Sequence, residues 1–419
     1  MPLDDTSPVL DLLLLGTVLD LELSDRDRRV LQKRYDLLKP HLERRGSPLA
    51  PFLNERALVY AQGSRAIGAT VLYGQNDDRF DLDGILEFPT PWGWTPERVL
   101  DQLYLGLEGF PDAIGIERCT RCIQIKFAFM HLDVTPMDPA AEPRRERIGE
   151  IYHSPDTGPQ SRVWANPYGF AKWFRGTVVL PETLFLSEVA AMRASMGIKD
   201  RFAPGSVLKA EIDVEGLPTD VDPIRDAPQV IALKLMKRYL MKRYLFLRYM
   251  KRDERRPPSV YLSKLAALTP VSRYGICAQI EDYAELLAAK MMEALQGGKW
   301  PEERNPALSA ENFNDRWPTN TSEMGMFLSD LQHLRKELAK ARASSVAEIQ
   351  SIFSGLFGER VTETSLQAYA ARMTDRPGKS SFERGKGFVA APAILPSASR
   401  AKASVAPAHR FHSGLLKKR

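Results

Sequence analysis

The sequence predicts an α+β protein in which a small mixed sheet with helices is followed by a mainly helical second lobe. Apolar runs typical of strands dominate residues 57–136, with one helical stretch among them. Helical patterns dominate residues 227–372. A chain of 419 residues with an apolar fraction of 44% is also too long for one small core. These observations favour two packed lobes over a helical bundle.

The elements of the first lobe follow from local periodicity and end signals. The patterns predict a helix, two strands, a second helix and one long strand, at 24–45, 57–61, 84–88, 96–108 and 122–136. Ser24 and Thr95 precede the two helices as candidate N-caps. Pro136 lies near the end of the long strand, where a missing backbone donor is tolerated.

The second lobe is predicted from helical patterns that continue to residue 372. Helices are expected at 166–175, 227–252, 259–268, 279–296, 322–342 and 344–372. We interpret 176–226 as helix, loop and connector. The predicted domains are a catalytic core with an N-terminal helix at 1–165, a mainly helical lobe at 166–375 and a basic tail at 376–419.

Charge is distributed unevenly along the chain. The tail holds ten Lys or Arg residues and one acid, so its net charge is +9, while the whole chain carries +5 and the rest therefore −4. The tail is also rich in Pro, Ala, Ser and Gly, which predicts disorder. A mildly acidic body does not match a protein that coats nucleic acid with its surface, so nucleic acid is not an expected partner.

Targeting signals and cysteine chemistry also limit the possible functions. No run of eighteen apolar residues occurs, and the apolar stretch 10–23 is interrupted by acids, so we expect a cytoplasmic protein without membrane contact. Cys119, Cys122 and Cys277 do not make a disulfide framework. The CxxC pair lacks a second ligand pair for zinc, which favours ordinary strand cysteines.

Three carboxylates carry the prediction of a metal site. Asp81 and Asp83 alternate at the start of a predicted strand, so their side chains share one face. Two carboxylates held together repel each other, and a divalent metal would keep them ionised. Asp133 lies between apolar neighbours on the long strand and would complete a cradle for two metals. Asp138 is a weaker candidate for the third ligand, because it lacks that strand setting.

Five motifs, in order, resemble those of a known family. The segments QGSRAIGATV, FDLD and HLDVTPMDP resemble the nucleotide-binding turn, the metal pair and the third metal ligand of polymerase β-like nucleotidyltransferases. LKLMKRYL and PPSVYLSKLAAL resemble two helical motifs of the bacterial cGAS/DncV-like nucleotidyltransferases (CD-NTases), which act in CBASS anti-phage defence. The likeness spans most of residues 57–270. The insertion YGQNDDR, at 73–79, lengthens the turn, and its two acids are interpreted as solvated.

The resemblance implies an active site in the cleft between the two lobes. It implies that the three aspartates hold two Mg²⁺ (or Mn²⁺) ions, and that a turn and two helices bind the nucleotide through Gly63, Ser64, Lys237, Ser259 and Ser263. The alternative for Lys237 is a solvated basic face, since eight cations crowd its helix.

The resemblance further implies synthesis of a cyclic di- or trinucleotide from NTPs (ATP, GTP or UTP), with release of pyrophosphate, in anti-phage defence. It also implies a CBASS regulatory partner or a ubiquitin-like ligase that acts on the C-terminal tail. Two alternatives stay open. The chain could transfer nucleotides to RNA or to a protein, or it could be a catalytically silent nucleotide sensor.

Overall fold

The structure is a computed structural model of the chain. It describes residues 8–53, 57–72, 80–140, 146–198, 223–252, 254–374, 381–383 and 387–389. Within these ranges, no helix combines the length and the apolar character that a membrane span requires.

The first half of the chain contains five α-helices and seven strands in the described residues. The helices are α1 (Pro8–Asp20), α2 (Asp25–Asp36), α3 (Leu38–Leu42), α4 (Gly63–Ala66) and α5 (Pro96–Leu107). The strands are β1 (Leu58–Gln62), β2 (Phe80–Glu87), β3 (Gly115–Arg118), β4 (Ile123–Lys126), β5 (Met130–Pro139), β6 (Gly149–His153) and β7 (Ser161–Ala165).

The second half is mainly helical. Its described helices are α6 (Pro167–Thr177), α7 (Thr183–Ser195), α8 (Pro228–Tyr249), α9 (Ser259–Leu268), α10 (Ile276–Gln296), α11 (Thr321–Arg342), α12 (Val346–Phe357) and α13 (Glu359–Thr374). Two short antiparallel hairpins accompany them, formed by β8 (Arg304–Asn305) with β9 (Leu308–Asn312) and by β10 (Ser381–Glu383) with β11 (Gly387–Val389).

The seven strands β1 to β7 form one mixed sheet. Its order is β1-β2-β5-β4-β3, and β6 pairs with β5 and β7. Only β2 and β5 run parallel; the other described pairs are antiparallel. Phe80 and Leu82 of β2 and Leu132 of β5 belong to one buried cluster with residues of α5. Because strand side chains alternate between faces, the intervening residues of β2 and β5 project from the opposite face.

Helix α8 lies at the centre of the helical lobe. Most of its residues between Gln229 and Leu247 are buried, including three cations, Lys234, Lys237 and Arg238. The apolar residues of α1 belong to the same hydrophobic cluster as those of α8 to α13, so the N-terminal helix packs with the helical lobe and not with the sheet. The predicted domain ranges stay a prediction.

Local signals located the helix starts well. Ser24 caps α2 in a capping box with Asp27, and the Thr95 side chain accepts a hydrogen bond from the backbone N–H of Arg98, so both predicted N-caps are confirmed. The predicted helix 24–45 is present as α2 and α3, with Leu37 between them.

The prediction of one long strand over 122–136 is wrong. The chain turns back between β4 and β5, which pair with each other as antiparallel strands. The backbone N–H of Phe127 donates to the Met130 carbonyl over 2.9 Å and closes the turn, while Ala128 and Phe129 are exposed at its tip. The strand-like pattern contains no Gly or Pro before Pro136, so the local sequence gave no sign of this turn.

The prediction of one helix over 344–372 is also wrong. Helix α12 ends before Gly358, which has a φ of +106°. A Cβ atom at this position would lie 2.7 Å from Nη2 of Arg238. Glycine is therefore required both by its backbone angle and by the buried arginine that packs against it.

Several predictions fall outside the described residues. The insertion 73–79, with Asp77 and Asp78, lies outside them, as does most of the connector after α7, at 199–222. The predicted disordered tail is described only at 381–383 and 387–389, where the two segments pair as β10 and β11, and its disorder stays a prediction.

Candidate active site

A single pocket of about 290 Å³ lies where the sheet meets the helical lobe. The residues that line it include carboxylates of β2 and β5, the turn after β1, and residues of α8, α9 and the loop between them: Asp81, Asp83, Asp133, Gly63, Ser64, Lys237, Arg256 and Ser259. Seven of the eight site residues predicted from the sequence thus border one space, with Arg256 added to them.

The pairing of β2 with β5 brings the three carboxylates to this pocket. Asp83 and Asp133 are register partners across the two parallel strands, and Asp81 lies two residues earlier on the same face of β2. Gln124 of β4 is the partner of Asp133 on the other side and donates to its Oδ1 over 3.0 Å. The sheet therefore fixes both the position of Asp133 and the direction of one of its oxygens.

The carboxylates affect one another electrostatically. Burial and the negative charges of Asp133 and Asp81 raise the pKa of Asp83 to about 7. Burial and Asp133 raise the pKa of Asp81 to about 6, against the opposing charges of Arg256 and Lys237. Burial also raises the pKa of Asp133. Ionising all three groups near neutral pH therefore requires additional positive charge at the pocket.

The donor set suits a hard divalent cation. Carboxylate oxygens are the ligands that Mg²⁺ and Mn²⁺ prefer in proteins. Within the described part of the chain, no three His, Cys, Asp or Glu side chains already stand in an arrangement that could hold a metal ion. The structure thus places the three aspartates around one pocket, and their role as metal ligands stays a prediction.

The turn after β1 comes close to this acidic group. Gly63 has a φ of +61°, and a Cβ atom on it would lie 2.2 Å from Oδ2 of Asp83. The backbone N–H of Ala69 donates to the Ser64 carbonyl over 2.9 Å and closes the loop that follows the short helix α4. Glycine is needed here because any side chain would displace the Asp83 carboxyl group.

Lys237 connects the helical lobe to this turn. Its Nζ donates to Oγ of Ser64 over 2.5 Å and to the Ala69 carbonyl over 3.0 Å, and the residue is 9% exposed. The alternative of a solvated basic face is therefore wrong for Lys237. Burial and the charge of Arg256 lower the pKa of its ammonium group to about 8, although the aspartates oppose this shift.

The two predicted serines of α9 differ in their positions. Ser259 is exposed and lines the pocket. Ser263 is 3% exposed, and its hydroxyl donates to the Ser259 carbonyl over 2.8 Å. Because that hydroxyl is bonded within its own helix, the structure does not bring Ser263 to the pocket surface.

Asp138, the other candidate for the third carboxylate, is engaged elsewhere. One of its oxygens accepts the backbone N–H of Thr90 over 3.0 Å, and the other pairs with Arg162. Neither Asp138 nor these partners line the pocket. The structure therefore favours Asp133 over Asp138 as the neighbour of Asp81 and Asp83.

Sequence reasoning did not identify Arg256 or Gln124. Arg256 follows another arginine and precedes Pro257 and Pro258, and this pair of cations before a rigid Pro-Pro step was the available signal. Gln124 could be found only through the β4–β5 pairing, since nothing in its local sequence connects it to Asp133.

The three cysteines are free thiols. Cys119 and Cys122 lie at the turn between β3 and β4, where the backbone N–H of Cys119 donates to the Cys122 carbonyl over 2.9 Å. Cys277 is buried in α10. The CxxC spacing therefore forms a hairpin turn.

Comparison with known proteins identifies the family. No family model matches the chain. Cyclic dinucleotide synthase CdnG of Bradyrhizobium diazoefficiens is 30% identical to it over an alignment of 433 positions, which covers all of this chain and 97% of that protein. The structure of the CD-NTase CdnG from the same organism, in complex with GTP, superposes with a TM-score of 0.70 and covers 86% of this chain and 99% of its own.

A more distant structure shares the fold. The di-nucleotide cyclase DncV of Vibrio cholerae, in a complex with ATP and GTP, is 12% identical, with a TM-score of 0.50 and coverage of 83% of this chain and 94% of its own. The predicted polymerase β-like nucleotidyltransferase fold is therefore confirmed. Together with the full-length identity to CdnG, this shows that the chain belongs to the CD-NTase family of cGAS/DncV-like nucleotidyltransferases.

Proposed function

We propose that the chain joins NTPs into a cyclic dinucleotide, with release of pyrophosphate, as a signal in anti-phage defence. The observation that carries the proposal is one pocket in which three carboxylates face the Lys237–Ser64 pair. Nucleotidyl transfer needs both parts, an acidic group that can hold divalent metal and a cationic group that can hold a triphosphate. We further propose GTP as a substrate, because the CdnG relative was solved in complex with GTP.

In this proposal, the nucleotide triphosphate lies between the Gly63 turn and α8. The absence of a side chain at Gly63 lets phosphate oxygens approach the backbone, and the Ser64 hydroxyl and the Lys237 ammonium group supply donors. Ser259, which is exposed in the pocket, adds a further hydroxyl. Ser263 has no place in this proposal, because its hydroxyl is bonded within α9.

Asp81, Asp83 and Asp133 would hold two Mg²⁺ or Mn²⁺ ions. When bound, such ions position the triphosphate and lower the pKa of an attacking ribose hydroxyl. Asp133 is fixed by Gln124 at the edge of the acidic group and would accept the proton of that hydroxyl. Burial raises the pKa of Asp133, which is the direction that strengthens a carboxylate as a base.

The two lobes would supply different parts of the site in the same proposal. Residues of the sheet lobe, within 1–165, would supply the carboxylates and the turn, and residues of the helical lobe, within 166–375, would supply the cations. A regulatory partner, including a ubiquitin-like ligase that acts on the tail, stays a prediction, because residues 390–419 lie outside the described part of the chain.

The test is product analysis with a matched pair of aspartate variants. The purified chain is incubated with labelled GTP, alone and with ATP or UTP, and with Mg²⁺ or Mn²⁺, and products are treated with phosphatase and identified by mass spectrometry. A phosphatase-resistant cyclic product is expected, and Asp83→Asn should abolish it. Asp138→Asn is the control, because Asp138 lies on the neighbouring strand β5, which also carries Asp133, but outside the pocket.

Three results would contradict the proposal. Label attached to RNA or to a protein would indicate transfer to a macromolecule. Nucleotide binding without release of pyrophosphate would indicate a silent sensor. A linear product that phosphatase degrades would indicate transfer without ring closure.

A further inference from the structure

We infer that Arg256 is a second cationic contact for the nucleotide triphosphate, and that Glu323 is the residue that positions it. The inference rests on the proposed function, because it assigns a residue of that same pocket. It concerns Arg256 in the short loop between α8 and α9, which lies just before the first residue of the motif PPSVYLSKLAAL and belongs to none of the five sequence motifs.

Arg256 lies at the mouth of the pocket. It lines the same space as Ser64, Asp81 and Lys237, and the residue is exposed to solvent. Its charge reaches the functional groups around it, since it opposes the upward shift of the Asp81 pKa and lowers the pKa of Lys237.

Lys237 alone offers few donors to a triphosphate. An ammonium group has three N–H donors, and two of those of Lys237 already go to Ser64 Oγ and to the Ala69 carbonyl. A guanidinium has five N–H donors and can bind two phosphate oxygens at once, so Arg256 supplies what the lysine lacks.

The backbone beside Arg256 is fixed by the helical lobe. The N–H of Arg255 donates to Oε1 of Glu323 over 2.9 Å, and the carbonyl of Arg255 accepts the Trp317 indole N–H over 3.0 Å. On the other side, Pro257 begins a Pro-Pro step whose φ angles are fixed by the rings. The backbone of the loop is thus restrained on both sides, so little backbone conformational entropy is lost when the guanidinium binds a phosphate.

Glu323 is itself firmly held. It is 2% exposed, its Oε2 accepts the N–H of Thr319 over 2.7 Å, and its backbone N–H donates to the Asn320 side chain over 2.9 Å. Its two carboxylate oxygens therefore tie the Arg256 loop to the start of α11. Glu323 does not line the pocket, so its effect on the nucleotide can act only through the loop.

The experiment measures binding of a nonhydrolysable GTP analogue and of GMP to the full-length protein with Mg²⁺, by calorimetry. Arg256→Ala should weaken binding of the GTP analogue roughly 10- to 100-fold, the effect of losing hydrogen bonds to a charged group. Binding of GMP should change much less, because it lacks the outer phosphates. Arg256→Lys should restore part of the affinity, because it restores the charge but not the five donors.

Arg255→Ala is the matched control. Arg255 is exposed, and its contacts to Glu323 and Trp317 use only backbone atoms, which the substitution preserves. The Arg255→Ala variant should bind the GTP analogue with the same affinity as the unaltered protein. Equal losses in Arg255→Ala and Arg256→Ala, or equal losses for GMP and the GTP analogue, would overturn the inference.

Glu323→Gln tests the positioning role. We expect the KM for GTP to rise while kcat changes little, because the loop moves but the carboxylates and Lys237 stay in place. A KM equal to that of the unaltered protein would refute this role. If the variant does not fold, the Arg256 variants still decide the main inference. The binding assay involves no turnover, so a protein that binds the analogue through Arg256 but makes no cyclic product refutes the proposed function alone.

Discussion

The ammonium group of Lys237 donates to the hydroxyl of Ser64 over 2.5 Å, and this bond joins the helical lobe to the turn beside the three aspartates. The two residues are 173 positions apart in the chain. The cationic and acidic halves of the pocket are therefore brought together only when the two lobes dock. A substitution at this contact should therefore affect both nucleotide binding and stability.

The first prediction concerns Lys237 itself. Lys237→Met keeps the length of the side chain but removes its charge and its donors to Ser64 and Ala69. Affinity for GTP should fall roughly 10-fold or more, and the free energy of unfolding should fall by about 1–3 kcal/mol, because the buried Ala69 carbonyl and the partly buried Ser64 hydroxyl lose their partner. Calorimetric titration with GTP and urea unfolding measure the two effects.

Lys242→Met provides the control on the same helix. Lys242 donates to two carbonyls of α12, at Ser354 and Gly355, and does not line the pocket. The Lys242→Met variant should be less stable than the unaltered protein but should keep its affinity for GTP. If the two variants lost GTP affinity to the same extent, the Lys237 effect would be structural and the prediction would be wrong.

The second prediction concerns the close approach of Gly63 to Asp83. Gly63→Ala combines a left-handed backbone angle with a Cβ atom 2.2 Å from the Asp83 carboxyl oxygen. The strained backbone alone should lower the free energy of unfolding by about 1–2 kcal/mol. The rate of product formation should fall at least 10²-fold, because the Asp83 carboxyl group must move. Gly93→Ala shares the positive φ, +82°, but has open space around it. It should lose similar stability and keep full activity, and a comparable loss of activity in both would contradict the steric argument.

The third prediction is a pH dependence of stability in the absence of divalent metal. The pKa values of Asp81 and Asp83, about 6 and about 7, lie above the ordinary value of 3.8. The folded protein therefore holds more protons than the unfolded chain between about pH 4 and 7, so these groups make stability fall as pH rises through that window. Urea unfolding in EDTA at several pH values measures this fall.

Divalent metal should reverse the effect. Mg²⁺ or Mn²⁺ binds the ionised carboxylates, so it should raise the Tm more at pH 8 than at pH 5 and should release protons on binding. Asp83→Asn should reduce the slope of the unfolding free energy with pH in EDTA, because the folded variant holds up to about one proton less. It should also weaken the stabilisation by metal. An unchanged slope in this variant would show that other groups cause the dependence.

The fourth prediction concerns a buried ionic network in the helical lobe. Arg193 of α7 donates to Asp226 over 2.8 Å and to Glu22 over 3.0 Å, and Lys234 of α8 also donates to Glu22, over 2.8 Å. Burial alone would raise the pKa of Glu22, but Lys234 and Arg193 hold it at about 2. Arg193→Met should cost about 3–5 kcal/mol of unfolding free energy, because it leaves buried carboxylates with fewer partners.

An exposed ion pair is the control for this network. Arg335 of α11 pairs with Glu285 over 3.2 Å, and both side chains are largely solvated. Arg335→Met should therefore change the free energy of unfolding by less than about 1 kcal/mol. Urea unfolding at neutral pH compares the two variants, and a similar small cost for Arg193→Met would show that the network adds little.

Much of the candidate site could be predicted from local sequence. The alternation of Asp81 and Asp83 within β2 fixes them on one face of the strand, and Asp133 between apolar neighbours marks a carboxylate on a buried strand. Both predicted N-caps are present, since a cap depends on only three or four consecutive residues. Motif order further predicted the family, which the comparison with CdnG shows.

Other features depend on contacts between distant parts of the chain. The turn between β4 and β5 and the break at Gly358 appear only when the sheet and the helical lobe are packed. The burial of Lys237, the withdrawal of Ser263 from the pocket and the fixed Arg256 loop likewise arise from docking of α8, α9 and α11.

The sequence by itself determined which residue types could do the chemistry and on which face of their strands they lie, because side-chain alternation is a local property of the backbone. Only the tertiary structure decided which strand pairs with which, which cations reach the acidic pocket and which hydroxyls stay available. Those outcomes depend on burial and hydrogen bonding between residues far apart in the chain, such as Lys237 with Ser64, and local periodicity carries no information about them.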